Sequence, residues 1–427
     1  MARTDRTLTK GEKALSWWVA VFVAAVLGGW WWWTDINRMP EVAIPDPVMP
    51  VPNALDYYLE AGSLLTDQPV IQGAVHVLGG DIPKGWAGLV PTIARIEAAV
   101  TANGPAIARL REGFQYPYQA EPLRSFREYG PQHIFSQMAA TLHVEAELCR
   151  HRGDAAGAMR SGLDCLEMAL SSQRGCALLA GIETCSDEAL GRKTLWAVYR
   201  QLSARNIRTS ARRLERINAM RVPYAEILEE EKWHRLAGLM ERFATPGWRK
   251  RGCRDFVPNT FQWQFWVVKK RDIIADVTQY MDRCTANARR PYAYKLPLPP
   301  LPENPISRCF CISYGAFWHT HADMQANLLL VALALRAYRV EHRRYPASLS
   351  HLVPDYLSAV PQDAFAKSGP LQYTLTKTGY LLYSVGPDGT DDGGTPSRDG
   401  QVPSAGVGML TLGSSSKGDI VAGVNVW

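Results

Sequence analysis

From Ala14 to Trp33 the chain carries no charged residue. A helix over this run, rising about 1.5 Å per residue, spans roughly 30 Å, the hydrocarbon thickness of a bilayer. Trp30, Trp31, Trp32 and Trp33 stand where such a helix would meet the headgroups, and Trp17 and Trp18 lie near its other end. A secretory signal peptide is the rival reading. Its apolar region is about 7–15 residues and ends at a small-x-small cleavage site. Here the run is longer and closes on four tryptophans, so an uncleaved anchor is expected over residues 14–33. Arg3, Arg6, Lys10 and Lys13 place residues 1–13 on the cytoplasmic side as a short tail. The expectation is a single pass through a bacterial inner membrane, with everything after Thr34 extracytoplasmic.

The 427 residues suffice for two or three domains with their own cores, and 47% hydrophobic with 21% charged residues describes a globular chain. A net charge of +6 is small for this length. Nucleic acid is not an expected partner, because its binding calls for a concentrated basic face. Eight cysteines permit disulfides outside the cytoplasm without fixing their connectivity. Cys253 with Cys284 is a candidate bridge, and buried thiols are the alternative for most of the others.

Pro40, Pro45, Pro47, Pro50 and Pro52 make residues 34–52 an extended, stiff spacer. Asn53 then reads as a helix N-cap, with Asp56 near the positive helix end. Helical periodicity follows near 88–102, 131–152, 154–172, 176–202, 207–220, 224–243 and 262–284. Gly153-Asp154 is the sharpest turn, a glycine ending one helix and an aspartate capping the next. That hairpin looks like a tetratricopeptide unit, but no 34-residue period repeats. An irregular helical bundle or short solenoid is expected over residues 53–307. Pro297, Pro299, Pro300 and Pro302 form a rigid connector near its end.

Residues 308–427 read as an α+β domain. A long helix from about 316 to 344, with Met324, Leu328, Val331, Leu335 and Tyr338 on one face, ends at Pro346 and should bury against a sheet. Leu371 to Thr376 and Tyr380 to Ser384 alternate as strands around a Lys377-Thr378-Gly379 turn, and Asp419 to Val426 reads as a last strand. Between them lies a Gly/Asp-rich loop holding Asp388, Asp391 and Asp392. If it returns to the sheet edge, these three converge with Asp419 as oxygen donors for calcium, and the loop glycines permit the sharp turns. A solvated turn that binds nothing is the alternative, since the spacing is not that of an EF-hand.

These pieces come in a telling order. Ala322-Asp323-Met324-Gln325-Ala326 opens the helix, and Ala334-Leu335-Arg336-Ala337-Tyr338-Arg339 and Tyr345-Pro346 follow. Pro361-Gln362-Asp363 leads to Leu371-Gln372-Tyr373, then Ser384-Val385-Gly386-Pro387-Asp388-Gly389, and finally Gly418-Asp419-Ile420. The region resembles the globular domain of the type II secretion major pseudopilin, over about a quarter of the chain. The resemblance implies a helix packed on a small antiparallel sheet and a calcium-binding C-terminal loop. It departs from that family in placing Arg308 to Thr320 before the matching helix and the only membrane segment far upstream.

Four further constellations stand out. His319, His321 and Asp323 offer transition-metal donors, but residues two apart on a helix diverge, so an ordinary helix start is expected. Glu226, Glu229, Glu230, Glu231, His234 and Glu241 make an acidic helical face, suited to acid–base chemistry or to solvation. Arg205, Arg208, Arg212, Arg213, Arg216 and Arg221 form a basic stripe. Trp248, Trp263 and Trp266 lie among basic residues, either as core or as a grip on sugar or lipid. The functional expectation is a membrane-anchored structural or interaction protein of the envelope or of secretion-like machinery. It would touch the membrane and other envelope proteins. The alternative is an envelope hydrolase using the carboxylates of the helical domain.

Overall fold

The computed structural model describes residues 10–78, 91–128, 130–250, 264–312, 314–397 and 412–424. Its helices are α1 (Lys10–Asn37), α2 (Ala54–Ser63), α3 (Gln68–Leu78), α4 (Ile93–Ala102), α5 (Gly104–Gly113), α6 (Gln132–His151) and α7 (Ala155–Ser171). They continue as α8 (Leu178–Val198), α9 (Ala204–Asn218), α10 (Tyr224–Ala244), α11 (Gln264–Val267), α12 (Lys270–Ala288), α13 (Pro305–Arg308) and α14 (Ala316–His342). Three short strands, β1 (Gln372–Leu375), β2 (Tyr380–Ser384) and β3 (Ile420–Val421), form one antiparallel sheet in that order. Two compact units result. One comprises Met1–Ile44, Arg235–Met281 and Pro300–Ile312; the other comprises Pro45–His234, Asp282–Pro299 and Ser313–Trp427.

In the first unit, α1 is exposed along its apolar length, and burial begins abruptly at Ile36. It is the one described helix long and apolar enough to cross a membrane. Phe243, Trp248, Ile273, Ile274, Val277 and Met281 are buried here.

In the larger unit, Asn53 caps α2. Its Oδ1 accepts from Leu55 N and Gln119 N, both at 3.1 Å, so the cap also ties down a distant strand of coil. The α6–α7 hairpin turns through Gly153 at φ 76°, and Asp154 accepts from Gly157 N at 2.8 Å. Side by side, α7 and α8 touch through glycines. A Cβ on Gly191 would lie 2.8 Å from the Gly162 carbonyl oxygen, so these backbones meet only because neither carries a side chain.

A single apolar cluster runs from Met159, Leu163 and Leu166 of α7 through Leu214 of α9 to Leu328, Val331 and Leu335 of α14, then to Leu371, Leu382 and Ile420. Accordingly, α14 buries against α8 and α9 as well as β2. The helix stops where Arg343 adopts φ 58°, just ahead of Tyr345-Pro346. In the sheet, Gln372 pairs with Tyr383 and Leu375 with Tyr380, while Tyr383 pairs with Val421. The turn closes by Gly379 N donating to Thr376 Oγ1 at 3.0 Å. The last strand is shorter than its β-branched sequence suggests, because Gly423 turns the chain at φ 76°.

Candidate functional site

One face of α10 builds the most site-like feature. Glu226, Glu229, Glu230 and Trp233 recur at helical spacing and line a groove of about 310 Å³. The facing wall comes from Gln173, Arg174, Gly175 and Cys176 between α7 and α8, from Gln119, and from Pro45 and Pro47 of the proline-rich spacer. Glu230 meets Arg124 at 3.4 Å and Glu229 meets Arg289 at 3.5 Å. Burial raises the Glu230 carboxyl, with Arg124 pulling against it. The remaining members of the acidic set have other duties. Glu231 is buried and accepts from Leu178 N at 3.0 Å, capping α8. His234 Nδ1 lies 3.2 Å from the Leu123 carbonyl, and Glu241 belongs to the other compact unit.

Gln173 links this groove to a buried ionic network. It is fully buried, donates to Glu188 Oε1 at 2.9 Å, and its own Oε1 has no hydrogen-bond partner among the described residues. Glu188 also accepts from Arg192 Nη1 at 2.9 Å. Burial opposes charge on Glu188, but Arg221 and Arg192 outweigh it and hold the carboxyl below its ordinary range. Arg221 extends the network to Asp323 at 3.3 Å. A second knot lies nearby in the fold, where buried Asp164 accepts from Arg111 at 2.7 Å and from Arg213 at 2.6 Å. Neither Glu188 nor Asp164 stands out in the sequence: Asp187 adjoins the first and Glu167 follows the second by one turn, and nothing local tells which acid of each helix is buried against arginine.

In the His-x-His-x-Asp cluster His321 diverges, while His319 and Asp323, four residues apart, both turn to the Arg221-Val222 segment. His319 Nε2 lies 2.8 Å from the Val222 carbonyl, His321 stacks near Phe317, and Asp323 turns to Arg221. The basic stripe is partly consumed by ion pairs, Arg208 with Glu341, Arg213 with Asp164 and Glu167, and Arg221 with Glu188. Arg205, Arg212 and Arg216 remain exposed. Trp248 is buried and Trp266 exposed; Trp263 and Cys253 lie outside the described residues, and with Cys253 its expected bridge to Cys284. Cys149, Cys165, Cys176 and Cys185 are free thiols, and burial pushes each of them up.

The Gly/Asp loop returns to the sheet edge and closes on its own amides. Asp419, fully buried, accepts from Asp392 N at 3.3 Å and Gly394 N at 2.6 Å. Asp391 accepts from the Tyr383 hydroxyl and from Gly393 N, both at 2.9 Å. Asp388 caps its own turn through Thr390 N at 3.1 Å. Burial raises the Asp419 carboxyl and the nearby charges of Asp391 and Asp392 add to this, while the two amide bonds pull the other way. Thus Asp391, Asp392 and Asp419 share one field, with Asp388 further along the loop. Among the described residues, no three His, Cys, Asp or Glu side chains are gathered in metal-holding geometry. Asp363, absent from the sequence-based set, anchors the loop entry. It accepts from Phe365 N, Ser384 Oγ and Val385 N at 3.0, 2.7 and 2.9 Å.

The described chain is therefore a mostly helical protein of the broad α+β class, with one small antiparallel sheet and one N-terminal helix able by length and composition to cross a membrane. No family model, curated protein or solved structure matches it.

Proposed function

We propose that this chain is a membrane-anchored, extracytoplasmic interaction protein of the bacterial envelope, working in envelope assembly or secretion-like machinery. The observation that carries the reading is α1. Its apolar residues from Ala14 to Trp33 are exposed, and a solvent-facing apolar surface of that length calls for lipid. The body attached to it spends its buried charges on structural ion pairs at Glu188 and Asp164, which suits a scaffold that presents surfaces to other proteins. Calcium stabilisation of the Gly/Asp loop belongs to the same proposal. It rests on the pseudopilin resemblance and on the return of the loop to the sheet edge, where Asp392 N donates to Asp419 at 3.3 Å. Alkaline phosphatase fused after Ile44 tests the topology. An active fusion is expected; an inactive one, paired with activity of a cytoplasmic reporter at the same position, overturns it.

The groove supports a second reading, an envelope hydrolase acting on cell-wall glycan. Three acids, a tryptophan wall and a carboxyl raised by burial are the ingredients of general acid catalysis beside a sugar-stacking face. Purified full-length protein should then release soluble fragments from cell-wall glycan, and Glu230→Gln should abolish release while the fold persists. No release by the wild-type chain overturns this reading and leaves the first intact.

A further inference from the structure

The end of α1 is knitted to a distant segment of its own compact unit. Arg249 Nη2 donates to the Ile36 carbonyl at 2.9 Å and Nε to Asn37 Oδ1 at 3.2 Å. The same guanidinium donates to the Val268 carbonyl at 3.1 Å and lies 5.9 Å from the Trp33 ring. Asp35 binds Lys269 at 2.8 Å and Arg271 at 2.9 Å. Lys270 is held by the Phe243 carbonyl at 3.0 Å. Residues 268–271 are thereby fixed against the last turn of α1.

Just before them, Trp266 is 49% exposed and Val267 45% exposed. These two apolar side chains are about half exposed, on a segment bonded to the end of a helix whose own apolar surface is also exposed. Trp266 is two residues from Val268, whose carbonyl shares a guanidinium with Ile36. At about 1.5 Å per residue, Ile36 lies only about 5 Å along the helix from Trp33. The headgroup layer is itself roughly 5–7 Å deep on each side of the hydrocarbon. If Trp30 to Trp33 mark the hydrocarbon edge, residues 268–271, bonded to α1's last turn, stand at the level of that layer; Trp266 and Val267, two residues and one residue before them, are within reach of it, and the amphipathic indole is the side chain that favours it.

We infer that Trp266 and Val267, backed by Lys269 and Arg271, form a second, non-spanning contact with the headgroup layer of the membrane that α1 crosses. Anionic phospholipid is the favoured occupant. Lys269 and Arg271 are balanced by Asp35 and Asp272, while Arg249 and Lys270 add two further cations at the level of α1's last turn, so the patch as a whole is positive towards an anionic surface. The inference rests on α1 being a membrane anchor.

Full-length protein in nanodiscs, carrying a benzophenone amino acid at one position, tests it. Position 22, exposed in the middle of the apolar run, reports whether α1 is in lipid; position 266 reports the second contact. Lipid adducts are expected at both, and the yield at 266 should rise about fivefold when phosphatidylglycerol is added to phosphatidylcholine. Adducts at 22 with none at 266 overturn the second contact alone. Adducts at neither position overturn the anchor reading together with it. An adduct at 266 whose yield ignores lipid charge overturns the preference for anionic lipid.

Discussion

Arg221 grips Glu188 with both arms, Nη1 to Oε1 at 3.0 Å and Nη2 to Oε2 at 2.7 Å, and both side chains are buried. The same carboxylate serves Arg192, so one acid bridges two guanidiniums inside the helical body, with Asp323 as the second acid beside Arg221. Removing one partner of a buried pair costs more than the pair contributes, because a charge is left stranded. Glu188→Gln keeps the shape, strands Arg192 and leaves Arg221 only Asp323 at 3.3 Å. A loss of about 3–5 kcal/mol in denaturant unfolding is expected. A loss below about 1 kcal/mol would mean that water reaches this network.

The helix-to-helix contact at Gly191 gives a steric prediction. In Gly191→Ala the new Cβ falls 2.8 Å from backbone of α7, which has no flexible end to move aside. A loss of about 1–3 kcal/mol is expected, read as a shift in the unfolding midpoint. Gly104→Ala is the control. Nothing lies within 4 Å of its added Cβ, so it should be neutral or stabilising by up to about 1 kcal/mol.

Much of this architecture was legible in local sequence. The Asn53 cap, the Gly153-Asp154 hairpin, the long helix ending before Pro346 and the Lys377 to Gly379 turn each depend on residues within a few positions of one another. Besides the single-turn α13, two helices escaped that reading, α3 and α5. Pro69 and Gly73 mask the first and Gly104-Pro105 the second, although proline at a first turn costs a helix nothing. Glu226, Glu229 and Glu230 were visible as one acidic face. Their opposite wall at Gln119, Gln173 and Cys176 was not, because periodicity shows which face a helix buries and not what it meets. The knot of Arg249 with Ile36 and Val268 was hidden for the same reason.

Stability should depend on pH from two directions. Burial lowers His143 and His319 to about 4 and His321 to about 3, whereas their unfolded values lie near 6.5. Below pH 6.5 the unfolded chain takes up protons that the folded chain refuses, so stability falls as pH drops from 6.5 towards 4. Asp187 acts at the other side. Burial pushes it up to about 8, and Ser136 donates to it at 3.3 Å. Between its unfolded value of 3.8 and about 8 the folded chain holds the extra proton, so this group erodes stability as pH rises through that window. Asp187→Asn should flatten the upper slope and be more stable than wild type at pH 8, by roughly 1 kcal/mol or more. Urea melts across pH 4–9 decide it; an unchanged slope in the variant would show Asp187 to be ionised in the folded state.

The Gly/Asp loop separates a structural acid from an ion-binding one. Asp419 is buried, and both its oxygens accept backbone N–H groups, so Asp419→Ala orphans two amides whether or not an ion is present. A loss of about 1–3 kcal/mol is expected in chelator. Asp388 is exposed and bonds only within its own turn, so Asp388→Ala should cost little in chelator. Calcium is the discriminating variable. A cation bound only by the folded loop raises stability by about 2.7 kcal/mol at a hundredfold excess over its dissociation constant. The calcium proposal therefore expects the wild-type melt to rise with calcium and the rise to disappear in Asp419→Ala and Asp391→Ala. The full chain is the right material, because α14 and the sheet share one apolar cluster with α7 and α9 and would be stripped of it in a C-terminal fragment. A wild-type melt indifferent to calcium, with Asp419→Ala still destabilised, would assign these acids wholly to closing the loop on its own amides.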